Sequence, residues 1–144
     1  MTVRILLVDD NAELVAATRE ALSIAPGMAV VATAGTGETA LQAAAGHRPD
    51  VAVVDVTMPG GGPELVRDLV SMIPGLRVMA LTARDDEETV LAMLAAGATG
   101  FVSKAVLDED LATCVRRCCE GMFFVVASSA DRVRERFAHL WAAR

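Results

Sequence analysis

The chain has 144 residues, 53% of them hydrophobic, with a formal net charge of −6 and an isoelectric point near 4.8. That length suits one domain with a real core, and the acidic balance excludes a general electrostatic grip on nucleic acid or an anionic membrane. The N-terminal "MTVRILLVDD" is too short an apolar run for a signal peptide, and no other run is long enough to span a bilayer, so a cytoplasmic protein is expected.

In chain order, "RILLVD" reads as a buried strand, short and rich in aliphatic residues. "NAELVAATREALS" is helical, with Asp10 or Asn11 as its cap. "MAVVATA" is the second strand and "GETALQAAAG" the second helix, closed by Gly46. "PDVAVVD" follows as a strand introduced by a proline, then the helix "GPELVRDLVSM" and the strand "LRVMALT". "DDEETVLAMLAAG" is a helix with acids in its first turn, where the dipole favours them. "TGFVS" is the fifth strand and "DEDLATCVRRCCEG" the fifth helix. Five such βα units predict an α/β fold, a doubly wound five-stranded parallel sheet with helices on both faces. Four of the five strands read as continuous apolar runs, as strands covered on both faces do.

Residues 123–144 fall outside this alternation. "FFVVASS" reads as irregular or extended, and "SADRVRERFAHLWAAR" as an extra amphipathic helix capped by Ser128 or Ser129. A division into a domain over 1–122 and a tail over 123–144 is expected. Cys114, Cys118 and Cys119 are odd in number and form no CxxC pair, which suggests neither a disulfide framework nor a zinc site. The stripe Leu111, Val115, Cys118, Met122 has helical spacing, so core packing is expected of Cys118.

Ligands of open parallel sheets bind outside the carboxyl ends of the strands. Strand one brings Asp9 and Asp10 to that edge, strand three Asp55, strand four Thr82, and Lys104 follows strand five. Adjacent carboxylates repel, by roughly 4 kcal/mol at about 4 Å and an effective dielectric near 20. Any one of these residues has an ordinary explanation as a cap or a surface charge; five converging on one edge do not. Of thirteen basic residues only Lys104 is a lysine, and a compact ammonium meets a phosphoryl oxygen as a point charge without needing a bidentate fork. The acids suit a hard divalent cation such as Mg2+, which takes oxygen ligands and retains water. With no soft ligands nearby, zinc and copper are not expected. His47 and His139 are too isolated to be ligands.

With "ILLVDD", "PDVAVVDVTMPGG", "VMALTA" and "AGATGFVSK" in place, the chain resembles the receiver domain of two-component response regulators over about residues 3–121. "AGATGFVSK" without a following proline looks closest to the receivers of NarL/LuxR-type transcription regulators. The resemblance implies a flavodoxin-like strand order 2-1-3-4-5 and Asp55 as phospho-acceptor. It also implies Asp10 as a direct magnesium ligand, Asp9 as a neighbour acting through water, and Thr57 offering its backbone carbonyl to the metal. Thr82 becomes the switch hydroxyl, Lys104 the phosphoryl-pairing lysine and Phe101 the switch aromatic. A sensor histidine kinase is then the phosphodonor, the face made by helix four, strand five and helix five is the switched surface, and DNA is reached through an output domain absent from these residues.

Three departures stand out. Ala105 replaces the proline that many receivers carry in a cis bond, and a cis bond before alanine would cost about 3 kcal/mol. Pro63 stands where glycine is usual, so the third helix is expected to start differently. Phe101 lacks a hydroxyl and can switch by burial alone.

Other readings are weaker. A haloacid-dehalogenase-type phosphatase would need a second aspartate where Thr57 stands. A pseudo-receiver would lack key residues, and all five are present. "GTGETA" lacks the lysine of a P-loop. A stand-alone regulator and a receiver cut from a longer protein both stay open. In the tail, Val133, Phe137, Leu140 and Trp141 form an apolar stripe that either pairs with a partner, a second copy giving a C2 homodimer or an output domain absent from these residues, or packs back on its own domain.

Overall fold

Aliphatic residues fill both faces of the central strands, so the sheet must be covered on both sides. The computed structural model describes residues 2–84, 86–104 and 110–142, and the side chains of all of these except residues 137 and 140–142. Its strands are β1 (Val3–Val8), β2 (Met28–Ala34), β3 (Val51–Val54), β4 (Arg77–Thr82), β5 (Gly100–Ser103) and β6 (Phe124–Val126). The helices are α1 (Ala12–Ser23), α2 (Gly37–His47), α3 (Pro63–Met72), α4 (Glu87–Ala96), α5 (Leu111–Cys119) and α6 (Ala130–Ala142). The strands pair in the order β2-β1-β3-β4-β5-β6, every pair parallel.

Period-two alternation splits the core. Leu6, Val8, Ala52, Val54, Val78, Ala80 and Phe101 pack on one face with α2, α3 and α4. Ile5, Leu7, Val51, Val53, Met79 and Val102 pack on the other against Leu22 of α1 and Cys114, Val115 and Cys118 of α5. Phe101 is fully buried, and burying a side chain of that size stabilises by about 1.5–3 kcal/mol. Local chemistry ends the helices where the fold needs them. Asn11 Oδ1 accepts from the backbone N–H groups of Glu13 and Leu14, Thr36 and Thr39 cap α2 reciprocally, and Asp86 accepts from the backbone and hydroxyl of Thr89. These Thr89 bonds hold the Asp86 carboxyl below the usual range.

Three elements differ from the sequence expectation. The sheet has six strands, not five, because part of "FFVVASS" is β6, which pairs with β5 from Gly100↔Phe124 to Val102↔Val126. α2 runs through Gly46 to His47, and Arg48 takes the left-handed turn at φ 45°. Met122 lies outside the apolar stripe of α5 and is half exposed. Pro63 opens α3 as its first residue after Gly62, where the missing proline N–H costs no hydrogen bond. The Lys104–Ala105 bond lies outside the described residues. Cys114 and Cys118 are buried, and burial pushes the Cys118 thiol up to about 11, which fits packing rather than reactivity. No described helix is long and apolar enough to cross a membrane.

Room for β6 comes from a missing side chain. A Cβ at Gly100 would stand 2.6 Å from Phe124 Cζ and 2.8 Å from its Cε1. We expect Gly100→Ala to lower stability by about 1–3 kcal/mol through overpacking, seen as a drop of a few degrees in Tm. In a Phe124→Ala background the same substitution should cost much less. An equal cost in both backgrounds would mean that the ring is not what Gly100 accommodates.

Candidate functional site

β1, β3 and β4 are adjacent and parallel, so their carboxyl ends open on one edge. Asp9 and Asp10 follow β1, Asp55 follows β3 and Thr82 ends β4. Asp9, Asp10 and Asp55 each offer a carboxylate oxygen, and these oxygens lie within 4.8 Å of one another. Backbone bonds fix the edge: Asp9 N–H donates to the Ala34 carbonyl at 3.0 Å and Asp55 N–H to the Val8 carbonyl at 2.9 Å.

Asp9, which is half-buried, and Asp55, which is buried, are oriented in the same way. Asp9 Oδ1 accepts from the N–H of Asn11 at 2.9 Å, and Asp55 Oδ1 accepts from the N–H of Thr57 at 2.9 Å. Both are turns in which an aspartate bonds the backbone two residues on. Asp55 Oδ1 also accepts from the Thr57 hydroxyl at 2.8 Å, so its other oxygen is the one left facing the site. Lys104 Nζ lies 3.8 Å from Asp55 Oδ2 and 3.6 Å from Asp9 Oδ2. Asp55 is 8% exposed and Asp10 exposed. Asp10 accepts no hydrogen bond or ion pair among the described residues. Three carboxylates facing one ammonium leave the site with an excess of negative charge.

Thr82 is fully buried. Its hydroxyl accepts from the Arg84 N–H at 3.2 Å, and its carbonyl accepts from the Lys104 N–H at 2.9 Å. Phe101 sits off the edge, within the core beside Ala80 and Val125. The glycine run after Asp55 has a steric reason: a Cβ on Gly61 would collide with the Asp55 carbonyl oxygen.

The structure thus brings Asp9, Asp10, Asp55, Thr57 and Lys104 together, places Thr82 one strand away and sets Phe101 behind them. Sequence reasoning missed the hydroxyl of Thr57, having used only its backbone carbonyl. A hydroxyl two residues after an aspartate at a strand end was the available signal. The donor set passes the test for a hard cation, since every clustered ligand atom is a carboxylate oxygen and neither histidine nor cysteine enters the cluster.

A doubly wound parallel sheet with an aspartate trio and a lysine on its carboxyl edge defines the flavodoxin-like receiver class. Residues 5–116 match the response regulator receiver domain family. The DNA-binding transcriptional activator DevR/DosR of Mycobacterium tuberculosis is 39% identical over 115 residues, covering 79% of this chain and 53% of that protein. The oxygen regulatory protein NreC of Staphylococcus epidermidis is 36% identical over 124 residues, 85% of this chain and 57% of that protein. Among solved structures, a LuxR-family two-component response regulator from Aurantimonas sp. SI85-9A1 superposes with a TM-score of 0.85 at 28% identity, covering 96% of this chain and 99% of that one. The signal receiver domain of a NarL response regulator from Mycobacterium tuberculosis gives 0.78 at 31% identity over 83% of this chain and 98% of that one. The chain belongs to the response regulator receiver domain family. It spans about half the length of the curated relatives it matches.

Proposed function

We propose that the protein is a phospho-acceptor that takes a phosphoryl group from the phosphohistidine of a sensor kinase onto Asp55. The observation that carries this reading is the asymmetry of that carboxylate. Oδ1 is held by two donors from Thr57 while Oδ2 faces Lys104. Oδ2 attacks phosphorus, the phosphorus–nitrogen bond breaks with its electron pair left on the imidazole, and an acyl phosphate forms. In phosphoryl transfer the protein chiefly positions groups and neutralises charge on the oxygens. Lys104 pairs with the phosphoryl oxygens, and Thr57 keeps Oδ1 from competing. Asp9, Asp10, Asp55 and the Thr57 carbonyl would hold Mg2+, which when bound supplies further charge neutralisation. The Thr82 hydroxyl then turns toward the phosphoryl group, and Phe101 follows by repacking.

Residues 1–122 would carry this chemistry in the cytoplasm, and residues 123–144 would link it to output. The relatives include a protein named as a DNA-binding transcriptional activator, which supports transcription as the output, reached through a further domain. A stand-alone regulator is the alternative. Incubation with acetyl phosphate and magnesium should add one hydroxylamine-labile phosphoryl group per chain, measured by intact mass. Absence of any adduct, or steady hydrolysis of phosphate monoesters, would overturn the reading.

A further inference from the structure

We propose that α6 is a strap over α4 that phosphorylation at Asp55 unfastens. The sequence left this helix either capping its own domain or pairing with a partner. Val133 settles its own side chain: it is 2% exposed, in the same core cluster as Val90, Met93 and Phe101. The side chains of Phe137, Leu140 and Trp141 lie outside the described residues. α5 covers one face of the sheet and β6 extends its edge, so the chain returns across the other face and lays α6 on α4.

The fastening is a single carboxylate. Glu87, the first residue of α4, is approached by two arginines one turn apart on α6. Arg136 Nη1 donates to Oε1 at 3.0 Å, and Arg132 Nε lies 4.0 Å from Oε2. The Glu87 side chain is 25% exposed and the arginines are far more open. Exposed pairs of this kind are individually weak, and Val133 is the one fully buried side chain among those described on α6. Ion pairs this open to solvent can part without unfolding the domain, as an element that must move requires.

What connects this clasp to the phosphorylation site is continuous. The Thr82 hydroxyl is occupied by the Arg84 N–H. The Arg84 guanidinium pairs with Asp86 at 3.6 Å, Asp86 caps α4, and Glu87 is the next residue. For Thr82 to turn its hydroxyl toward a phosphoryl group, the bond to Arg84 must break. The start of α4 loses that tether, and with it the position of the carboxylate that both arginines hold. Phe101 shares its cluster with Val133, so repacking of that ring reaches the second anchor of the strap directly. Unfastening would expose the α4 surface in the phosphorylated form alone. The switching step rests on the phospho-acceptor reading; the docking of α6 does not.

The test uses the full chain and hydrogen–deuterium exchange of α6 amides, with polarised emission of Trp141, the chain's single tryptophan, as a second readout. Replacing both Arg132 and Arg136 with Gln leaves α4 untouched. It should speed exchange in α6 by about fivefold, the scale of two weak ion pairs, while β1 and β4 stay protected. Treating the parent with acetyl phosphate and magnesium should produce the same change in α6, and phosphorylation of the double variant should add little to it. Unchanged α6 exchange in the double variant overturns the strap. Phosphoryl uptake by mass with α6 still protected overturns the coupling while the acceptor reading stands. No uptake at all overturns both.

Discussion

Asp55→Asn will take up no phosphoryl group from acetyl phosphate, and the same variant will melt higher than the parent in the absence of divalent metal. Both results follow from one site. β3 lies between β1 and β4, so Asp55 has Asp9 and Asp10 on one flank and Thr82 on the other. An acceptor on β1 would have the acids but not the switch hydroxyl beside it. The amide keeps an oxygen to accept the two Thr57 donors, so the loop stays organised. It is no nucleophile toward phosphorus, so uptake should fall to background. It also removes one charge from three crowded carboxylates, which should raise the metal-free Tm by about 1–3 °C. Labelling at the parent's level would reject Asp55 as the acceptor. A collapse in Tm would show that its charge is needed to pair Lys104 rather than being in surplus.

The carboxyl edge was legible in the sequence because its residues are set by strand ends, and the strands announce themselves. "MAVVATA" coincides with β2 and "LRVMALT" overshoots β4 by one residue, since apolar runs this short, bounded by turn residues and rich in β-branched side chains, suit strands of a parallel sheet. Once the strands are placed, Asp9, Asp55 and Thr82 have nowhere else to go. β6 was not legible. Three half-buried residues carry no period, and what admits Phe124 is the missing side chain of Gly100, twenty-four residues earlier. The end of α2 misled for a local reason: Gly46 is a good stop signal, yet the helix continues one residue and Arg48 accepts the left-handed turn. The clasp on Glu87 joins residues 45 and 49 positions apart, and charges that far separated in the chain declare no partnership in advance. The Thr57 hydroxyl is different. An Asp followed two residues later by Thr at a strand end carries its turn chemistry openly, and it was passed over because the carbonyl of the same residue had already been given a role.

Millimolar magnesium will raise the melting temperature of the parent protein, and Asp10→Ala will abolish that rise. The three acids are not equally compensated. Asp9 accepts from the Asn11 N–H and lies near Lys104. Asp55 has Thr57 on one oxygen and Lys104 near the other. Asp10 has no partner among the described residues and faces both of its neighbours as a bare charge. Its charge is therefore the least compensated by the protein in the metal-free state and stands to gain from a cation. A ligand that binds only the folded chain stabilises it by RT ln(1 + [L]/Kd), about 2.7 kcal/mol at a hundredfold excess over Kd. For a chain of this size that corresponds to a rise of about 5–10 °C. Asp10→Ala should melt slightly above the parent without metal and show no further shift with it. Asp9→Ala should separate the two effects. It too should weaken the response to magnesium, but its metal-free Tm should fall, because it strips Lys104 of a partner and frees the turn that leads into α1. If both variants gained metal-free stability alike, the acids would be acting as a uniform patch of charge. The unequal anchoring of Asp9 and Asp10 predicts opposite signs, and a pair of thermal melts reads them directly.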